Sequence, residues 1–187
     1  MSDNGLSLFV SNSHIDCSLD NFDWTKKEKL RKVIEDVIEG KSKKGLLLIG
    51  NPGVGKTHLM VGIFRALLEK GGLIGVDVWY ESWAGLIQEL VTDIGTGVTL
   101  ENVVDRVLSS NVVLLDDVKP AAGKIWEDIL RKVIVKVYEE ERVAVLSTNA
   151  SSLDELIAVW KLEDYYISRI LERFSIIEVV GKDRRVE

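Results

Sequence analysis

The sequence predicts an α/β fold in which a five-stranded parallel sheet lies between two layers of helices. Short apolar runs alternate along the chain with longer segments whose apolar residues recur at helical spacing. This alternation is typical of parallel sheets that are covered on both faces. The 187 residues suffice for one domain with a substantial core. Hydrophobic residues form 46% of the chain and charged residues 29%, as in ordinary globular proteins.

The N-terminal part predicts an arm followed by one helix. Residues 1–24 are mostly polar and their scattered apolar residues follow no period, so we expect an extended N-terminal arm. The run Thr25-Lys26-Lys27-Glu28 has the pattern of a capping box and predicts the start of a helix, which Gly40 ends. Residues 25–187 are then expected to form a single domain. The apolar stripe of the first helix consists of Leu30, Val33, Ile34, Val37 and Ile38.

The next elements follow the pattern of strand, helix, strand, helix. Gly45 to Ile49 is apolar and predicts the first strand, and the helix after it is expected to stop at Gly71-Gly72. Ile74 to Tyr80 predicts the second strand, and Ser82 is a candidate cap for a third helix. Thr92 to Thr99 is rich in glycine and threonine and predicts a loop. A short helix is then predicted from Val103, Val104, Val107 and Leu108.

The C-terminal half predicts three more strands. The third strand covers Val112 to Leu115 and ends in Asp116-Asp117. A helix is predicted over the apolar stripe from Ile125 to Val137, and the fourth strand from about Arg142 to Ser147. The remaining predicted elements are a helix that starts at the capping box Ser152-Leu153-Asp154-Glu155 and reaches Trp160, a helix from about Glu163 to Phe174, and a strand from Ile176 to Val180.

A phosphate-binding loop follows the first strand. Gly50-Asn51-Pro52-Gly53-Val54-Gly55-Lys56-Thr57 matches every fixed position of the pattern G-x-x-x-x-G-K-[ST], with a strand before it and a helix behind it. The loop's N–H groups would form an anion nest at the positive end of that helix. Lys56 would reach the β- and γ-phosphates, and the Thr57 hydroxyl would bind Mg²⁺. The sequence therefore predicts that the chain binds a nucleoside triphosphate.

Polar side chains at two further strand ends predict the rest of the site. Asp116 is placed to hold Mg²⁺ directly or through water, and Asp117 to act as a general base or to position water. The alternative is a strand that ends in an acidic turn. Asn149 closes the fourth strand, where an amide would orient the attacking water or sense the γ-phosphate; it also suits an ordinary turn. Ligands bind at the carboxyl ends of parallel strands, where all these residues are predicted.

This combination of phosphate loop, acidic strand end and polar strand end resembles the AAA+ ATPases, in which the three features are called Walker A, Walker B and sensor 1. Further segments are similar to the DnaC/IstB-like branch of helicase loaders and transposition helper ATPases. These segments are Gly55-Lys56-Thr57-His58-Leu59, Leu19-Asp20-Asn21-Phe22-Asp23, Ser168 to Phe174, and Ile176 to Arg185. The resemblance covers about residue 17 to the end. It implies an AAA+ three-layer α/β/α core and extends the nucleotide-binding motif to His58.

The resemblance also assigns two arginines. Arg169 matches the arginine finger, which acts in trans on the ATP of a neighbouring subunit, with Arg173 as the rival candidate. Arg185 matches the sensor 2 arginine, which contacts the γ-phosphate of its own subunit, with Arg184 as the rival. The implied assembly is a homo-oligomer with ATP at subunit interfaces. The implied partner is a replicative helicase or a transposase, although we expect no separate helicase-binding domain in this chain.

Charge and composition limit the other partners. The net charge of −6 and the pI near 5.1 argue against a surface dominated by nucleic-acid binding. No Lys or Arg occurs from Gly71 through Asp105, where family members place DNA-contacting helices, so single-stranded DNA binding has weak support. No apolar run is long enough for a membrane span and no secretory pattern is present, which predicts a cytoplasmic protein.

The expected activity is hydrolysis of ATP to ADP and phosphate by a helicase-loader-like or transposition-related switch. Many AAA+ proteins have glutamate at the position of Asp117, so we expect slow turnover that depends on assembly or on a partner. One alternative is a nonenzymatic ATP-binding adaptor. A small P-loop kinase would need a lid with several arginines, and a GTPase would need an Asn-Lys-x-Asp motif. The sequence contains neither.

Overall fold

The computed structural model describes residues 10–74, 77–94, 99–120 and 124–183. Five strands form one parallel sheet in the order β2-β3-β4-β1-β5. The strands are β1 Gly45–Ile49, β2 Val78–Ser82, β3 Val112–Asp116, β4 Val143–Ser147 and β5 Phe174–Glu178. The helices are α1 Glu28–Ile38, α2 Lys56–Ile74, α3 Trp83–Ile94, α4 Leu100–Val107, α5 Ile125–Glu139, α6 Leu153–Trp160 and α7 Asp164–Arg173. The predicted α/β class and the five-stranded parallel sheet are confirmed.

The sheet separates two apolar cores, as the alternation of side chains along β1 requires. Leu46 and Leu48 pack on one face with α1 and α2, whereas Leu47 and Ile49 pack on the other face with α3 to α7. Every residue of β1 is buried, which explains why this strand reads as an unbroken apolar run. The result is the three-layer α/β/α arrangement that the sequence predicted.

The described part of the N-terminal arm is folded rather than extended. It contains a short 3₁₀ helix over Asn12–His14, and the side chain of Phe22 is 4% exposed within the core around α1 and α2. A Cβ added at Gly62 of α2 would lie 2.9 Å from Leu19, so the arm approaches that helix closely. The arm's apolar residues are too irregularly spaced to show a period, although Val10 and Phe22 are buried.

Several predicted boundaries are wrong at the ends of elements. Helix α1 begins at Glu28 with Lys27 as its N-cap, and Thr25 lies in a turn before it. Helix α2 continues through Gly71-Gly72 to Ile74, and β2 accordingly begins only at Val78. Two glycines cost a helix about 1 kcal/mol each. A hydrogen bond of 2.9 Å from Lys70 Nζ to the Ile38 carbonyl joins this end of α2 to α1.

The later elements follow the predictions more closely. Ser82 caps α3, since its Oγ accepts a hydrogen bond from the Gly85 N–H at 3.1 Å. That helix runs on to Ile94, into the predicted loop, of which residues 95–98 lie outside the described residues. Strand β5 begins two residues earlier than predicted, because Phe174 already pairs with Gly45 of β1. Among the helices in the described ranges, none has both the length and the apolar character needed to cross a membrane.

The packing of the arm predicts a large effect of Phe22→Ala on stability. Truncation of a buried phenylalanine should lower the free energy of unfolding by about 3–5 kcal/mol, measured by urea denaturation. Leu171→Ala is the control, because Leu171 is 48% exposed and its loss should change that free energy by less than about 0.5 kcal/mol. Equal effects of the two substitutions would show that the arm does not pack on the core.

Candidate nucleotide-binding site

The loop between β1 and α2 has the backbone of an anion-binding turn. Gly50 has a φ of 147° and Gly55 a φ of 101°, in the region that favours glycine. A Cβ at Gly50 would lie 2.4 Å from the carbonyl oxygen of Val179, and one at Gly55 would lie 3.1 Å from Phe22. The loop therefore passes close to the chain after β5 and leads directly into the N-terminus of α2, the end of a helix that favours anions.

The lysine of the loop is buried inside it. Lys56 is 6% exposed, and its Nζ donates to the carbonyl oxygens of Gly50 at 2.6 Å and Asn51 at 2.8 Å. A buried ammonium group needs such partners, because desolvation of an unpaired charge is costly. The positive charge is thus held among the residues that sequence analysis assigned to the phosphates.

Asp116 ends β3 as a buried carboxylate with a hydroxyl donor on each oxygen. Its side chain is 5% exposed. Ser147 Oγ donates to Asp116 Oδ1, and Tyr80 donates its hydroxyl to Asp116 Oδ2 at 3.2 Å. Burial, together with the neighbouring Asp116 charge, raises the pKa of Tyr80 above its ordinary value, so this hydroxyl stays protonated at neutral pH. Asp116 is therefore fixed in orientation by β2 and β4, the two strands beside it.

Asp117 and Asn149, predicted separately, contact each other directly. Asn149 Nδ2 donates to Asp117 Oδ1 at 2.7 Å, and the Asp117 N–H donates to Ser147 Oγ at 2.9 Å. Asp117 has a φ of 56°, which turns its side chain away from the line of β3. Lys119 Nζ donates to the other carboxylate oxygen at 2.5 Å. Lys119 belongs to no motif in the sequence, although it lies only two residues beyond Asp117.

One cavity of about 690 Å³ unites these groups. Its lining includes Lys56, Thr57, Asp116, Asp117 and Asn149, which fulfils the expectation that the strand ends meet. The arm also contributes to the wall, although its sequence carries no motif that predicts this. The remaining residues of the lining are Ser11, Ser13, His14, Cys17, Pro52, Gly53, Gly55, His58, Tyr80, Ser82 and Ser147.

His58 faces the arm as well as the cavity. Its Nε2 lies 2.9 Å from the Ser18 carbonyl oxygen and 2.7 Å from Asn21 Oδ1. Its ring also meets that of Phe22 edge-on, with centroids 5.3 Å apart. The histidine therefore fastens the arm to the first turn of α2, beside the residues predicted to bind phosphate.

The predicted finger arginine lies outside this cavity. The Arg169 guanidinium on α7 lies 3.3 Å from the centroid of the Tyr165 ring and 4.7 Å from that of Tyr138. Its rival Arg173 donates to the Tyr138 carbonyl oxygen and pairs with Glu141, both at 3.2 Å. The two sensor 2 candidates, Arg184 and Arg185, lie outside the described residues.

A carboxylate that sequence analysis did not single out lies against the phosphate loop. A Cβ added at Gly53 would lie 1.8 Å from Asp183 Oδ1. The Asp183 side chain therefore occupies the space directly beside Gly53, near the N–H groups of the loop. The only sequence signal was its position two residues before the predicted sensor 2 arginine. A negative charge at this place opposes the approach of phosphate.

The side-chain oxygens that line the cavity are suitable ligands for a Mg²⁺ ion that also binds phosphate. The Thr57 hydroxyl and the Asp116 carboxylate both line it, and Mg²⁺ is usually bound by one or two carboxylates together with substrate phosphates. Within the described ranges, no cluster of three or more His, Cys, Asp or Glu side chains suits a metal ion. The donor set therefore suits a cation that arrives with a nucleotide rather than one held by protein alone.

Comparison with known proteins agrees with this geometry. The profile of the family described as IstB-like ATP binding protein matches residues 11–187. No curated protein sequence matches the chain.

Three solved structures show the same fold. The crystal structure of the DnaC helicase loader has a TM-score of 0.75 and 22% identity, covering 91% of this chain and 100% of that one. The DnaI structure has a TM-score of 0.71 and 20% identity, covering 95% of each chain. Domain III of the Thermotoga maritima replication initiation protein DnaA has a TM-score of 0.73 and 18% identity, covering 91% of this chain and 69% of that one. At identities this low, the structural likeness shows a shared fold alone.

The position of Asp183 predicts tighter nucleotide binding by Asp183→Asn. Removing a negative charge beside the loop should strengthen the free energy of ATP binding at low salt by about 1 kcal/mol. The Kd for ATP should then fall roughly fivefold. Titration calorimetry in low and high salt measures the effect, which salt should weaken. Glu139→Gln on α5 is the control for net charge. An unchanged Kd in Asp183→Asn at low salt would show that this carboxylate does not oppose phosphate.

Proposed function

Because the chain belongs to the IstB-like ATP-binding protein family, we propose that it is an AAA+ ATPase that acts as an ATP-dependent assembly switch. The observation that carries this proposal is the shared cavity in which the phosphate loop faces Asp116 and the bonded pair of Asp117 and Asn149. A site for nucleotide binding alone would need the loop but not a water-positioning carboxylate beside it.

Each side chain then has a role in hydrolysis. The loop N–H groups and Lys56 hold the phosphates, while Thr57 and Asp116 would hold Mg²⁺, which would neutralise charge on the phosphate oxygens. Asp117 orients a water molecule and accepts its proton as the water oxygen bonds to the γ-phosphorus. The bond from that phosphorus to the bridging oxygen breaks, and ADP and phosphate leave. Asn149 keeps Asp117 in place through its hydrogen bond of 2.7 Å.

Arg169 is proposed to act on the ATP of a neighbouring subunit in a homo-oligomer. Its support is its location on α7 beside Tyr165, whose side chain is 49% exposed. Its guanidinium donates to the Tyr165 carbonyl oxygen at 2.9 Å, and we propose that this group turns toward the neighbouring subunit's ATP on assembly. Arg173 is the weaker candidate, since Glu141 already pairs with it. Arg185 is proposed to contact the γ-phosphate within its own subunit.

The biological role is proposed by likeness to the helicase loader DnaC and to DnaI. In this role the ATP-bound assembly engages a replicative helicase or a transposase in the cytoplasm, and hydrolysis releases that partner. Single-stranded DNA remains the less supported partner, because the stretch from Gly71 to Asp105 lacks Lys and Arg.

A nonenzymatic ATP-binding adaptor is the second candidate function. It is favoured by the two hydrogen bonds that occupy Asp117, one from Asn149 on Oδ1 and one from Lys119 on Oδ2. These two hydrogen bonds leave fewer acceptor sites on the carboxylate for a water molecule. In the adaptor, ATP would order the interface with a partner and remain intact.

Two inactive variants, used alone and mixed, test the proposal. Asp117→Asn should lower phosphate release by about 100-fold or more while ATP binding persists, and Arg169→Ala should lower it at least about tenfold. An equal mixture should recover activity, because about a quarter of its interfaces combine an intact Asp117 with an intact Arg169 in trans.

The outcomes separate the candidates. Activity in Arg169→Ala equal to wild type, at every protein concentration, would contradict the trans-acting arginine. The adaptor would be favoured by two results together. Wild type would bind ATP but release no phosphate at any protein concentration, and Asp117→Asn would bind ATP as wild type does.

A further inference from the structure

Tyr80 connects the apolar core to the nucleotide cavity. It lies on β2 and is 5% exposed, and its ring packs in the core around α1 and α2, with its centroid 5.2 Å from that of Phe64. Its hydroxyl, in contrast, reaches the cavity and donates to Asp116 Oδ2 at 3.2 Å. The ring therefore fixes the position from which the hydroxyl approaches the carboxylate.

Asp116 is held from both sides of β3. Ser147 at the end of β4 donates to Oδ1, and Tyr80 on β2 donates to Oδ2. Hydrogen bonds to an ionised carboxylate are stronger than those between neutral groups. Each carboxylate oxygen can accept more than one hydrogen bond or metal contact, so the two hydroxyls orient Asp116 and leave it able to bind a cation.

We propose that Tyr80 is a positioning residue whose hydroxyl sets the Mg²⁺ affinity of the nucleotide site by fixing the orientation of Asp116. The proposal rests on the proposed function, because Asp116 is the carboxylate assigned to Mg²⁺ there. Groups that hydrogen-bond to metal ligands typically contribute 10- to 100-fold to metal affinity. Tyr80 is outside the phosphate loop. Loss of its hydroxyl should therefore weaken Mg²⁺-dependent binding of the nucleotide and leave binding without Mg²⁺ unchanged.

A purely structural role for the hydroxyl makes a different prediction. A buried tyrosine hydroxyl needs some acceptor, and its removal would then lower stability without changing any dependence on Mg²⁺. Tyr80→Phe separates the two roles, since it keeps the ring packed against Phe64 and deletes only the oxygen. Tyr166→Phe is the matched control, because Tyr166 lies on α7 and packs in the opposite core.

The experiment follows binding of a fluorescent ATP analogue during Mg²⁺ titration and in the presence of EDTA. Tyr80→Phe should raise the Mg²⁺ concentration for half-maximal binding by about tenfold, and its affinity in EDTA should equal that of wild type. Tyr166→Phe should reproduce the wild-type titration. Urea unfolding of the same variants measures any loss of stability separately.

Three results would overturn the inference. If Tyr80→Phe loses stability but follows the wild-type Mg²⁺ curve, the hydroxyl is structural and the proposed function stands. If its affinity falls equally with Mg²⁺ and in EDTA, Tyr80 acts on the nucleotide and not through Asp116. If wild type itself shows no Mg²⁺-dependent binding of the analogue, the proposed function fails and this inference fails with it.

Discussion

The site depends on one hydroxyl, that of Ser147 at the end of β4. This side chain donates to Asp116 Oδ1 and accepts from the Asp117 N–H at 2.9 Å, so it joins the last residue of β3 and the residue after it to the neighbouring strand. Asn149, two residues further along the same chain, donates to the Asp117 carboxylate at 2.7 Å. Both acidic residues thus take their positions from the register of β3 and β4, and a shift of one residue would turn these side chains to the opposite face.

The phosphate loop is positioned by the same sheet. Hydrogen bonds continue past the end of β1 on both sides. The Gly50 N–H donates to the Ala150 carbonyl oxygen at 2.7 Å, and the Val179 N–H donates to that of Ile49, also at 2.7 Å. The start of the loop is therefore clamped between the segments that follow β4 and β5. Because β1 lies next to β4, and β4 next to β3, the loop and the acidic residues open into one cavity. Preorganisation of this kind is what a phosphate-transfer site requires.

The features that the sequence predicted are those encoded locally. The phosphate loop, Asp116 and the central strands each occupy a few consecutive residues with a pattern of their own. The features it missed arise from contacts between distant segments, such as Tyr80 and Asp116, which are 36 positions apart. The stop expected at Gly71-Gly72 was wrong because helix propensity is a weak prior that tertiary contacts override.

ATP binding at the phosphate loop is the central claim, and titration calorimetry of Mg²⁺-ATP on wild type and Lys56→Ala tests it most directly. Loss of the buried ammonium should weaken binding by about 3 kcal/mol, roughly 100-fold, since hydrogen bonds to charged groups are worth about 1.5–3 kcal/mol each. Lys132→Ala on α5 should bind as wild type does. Equal affinity of wild type and Lys56→Ala, or no binding by wild type, would contradict the account.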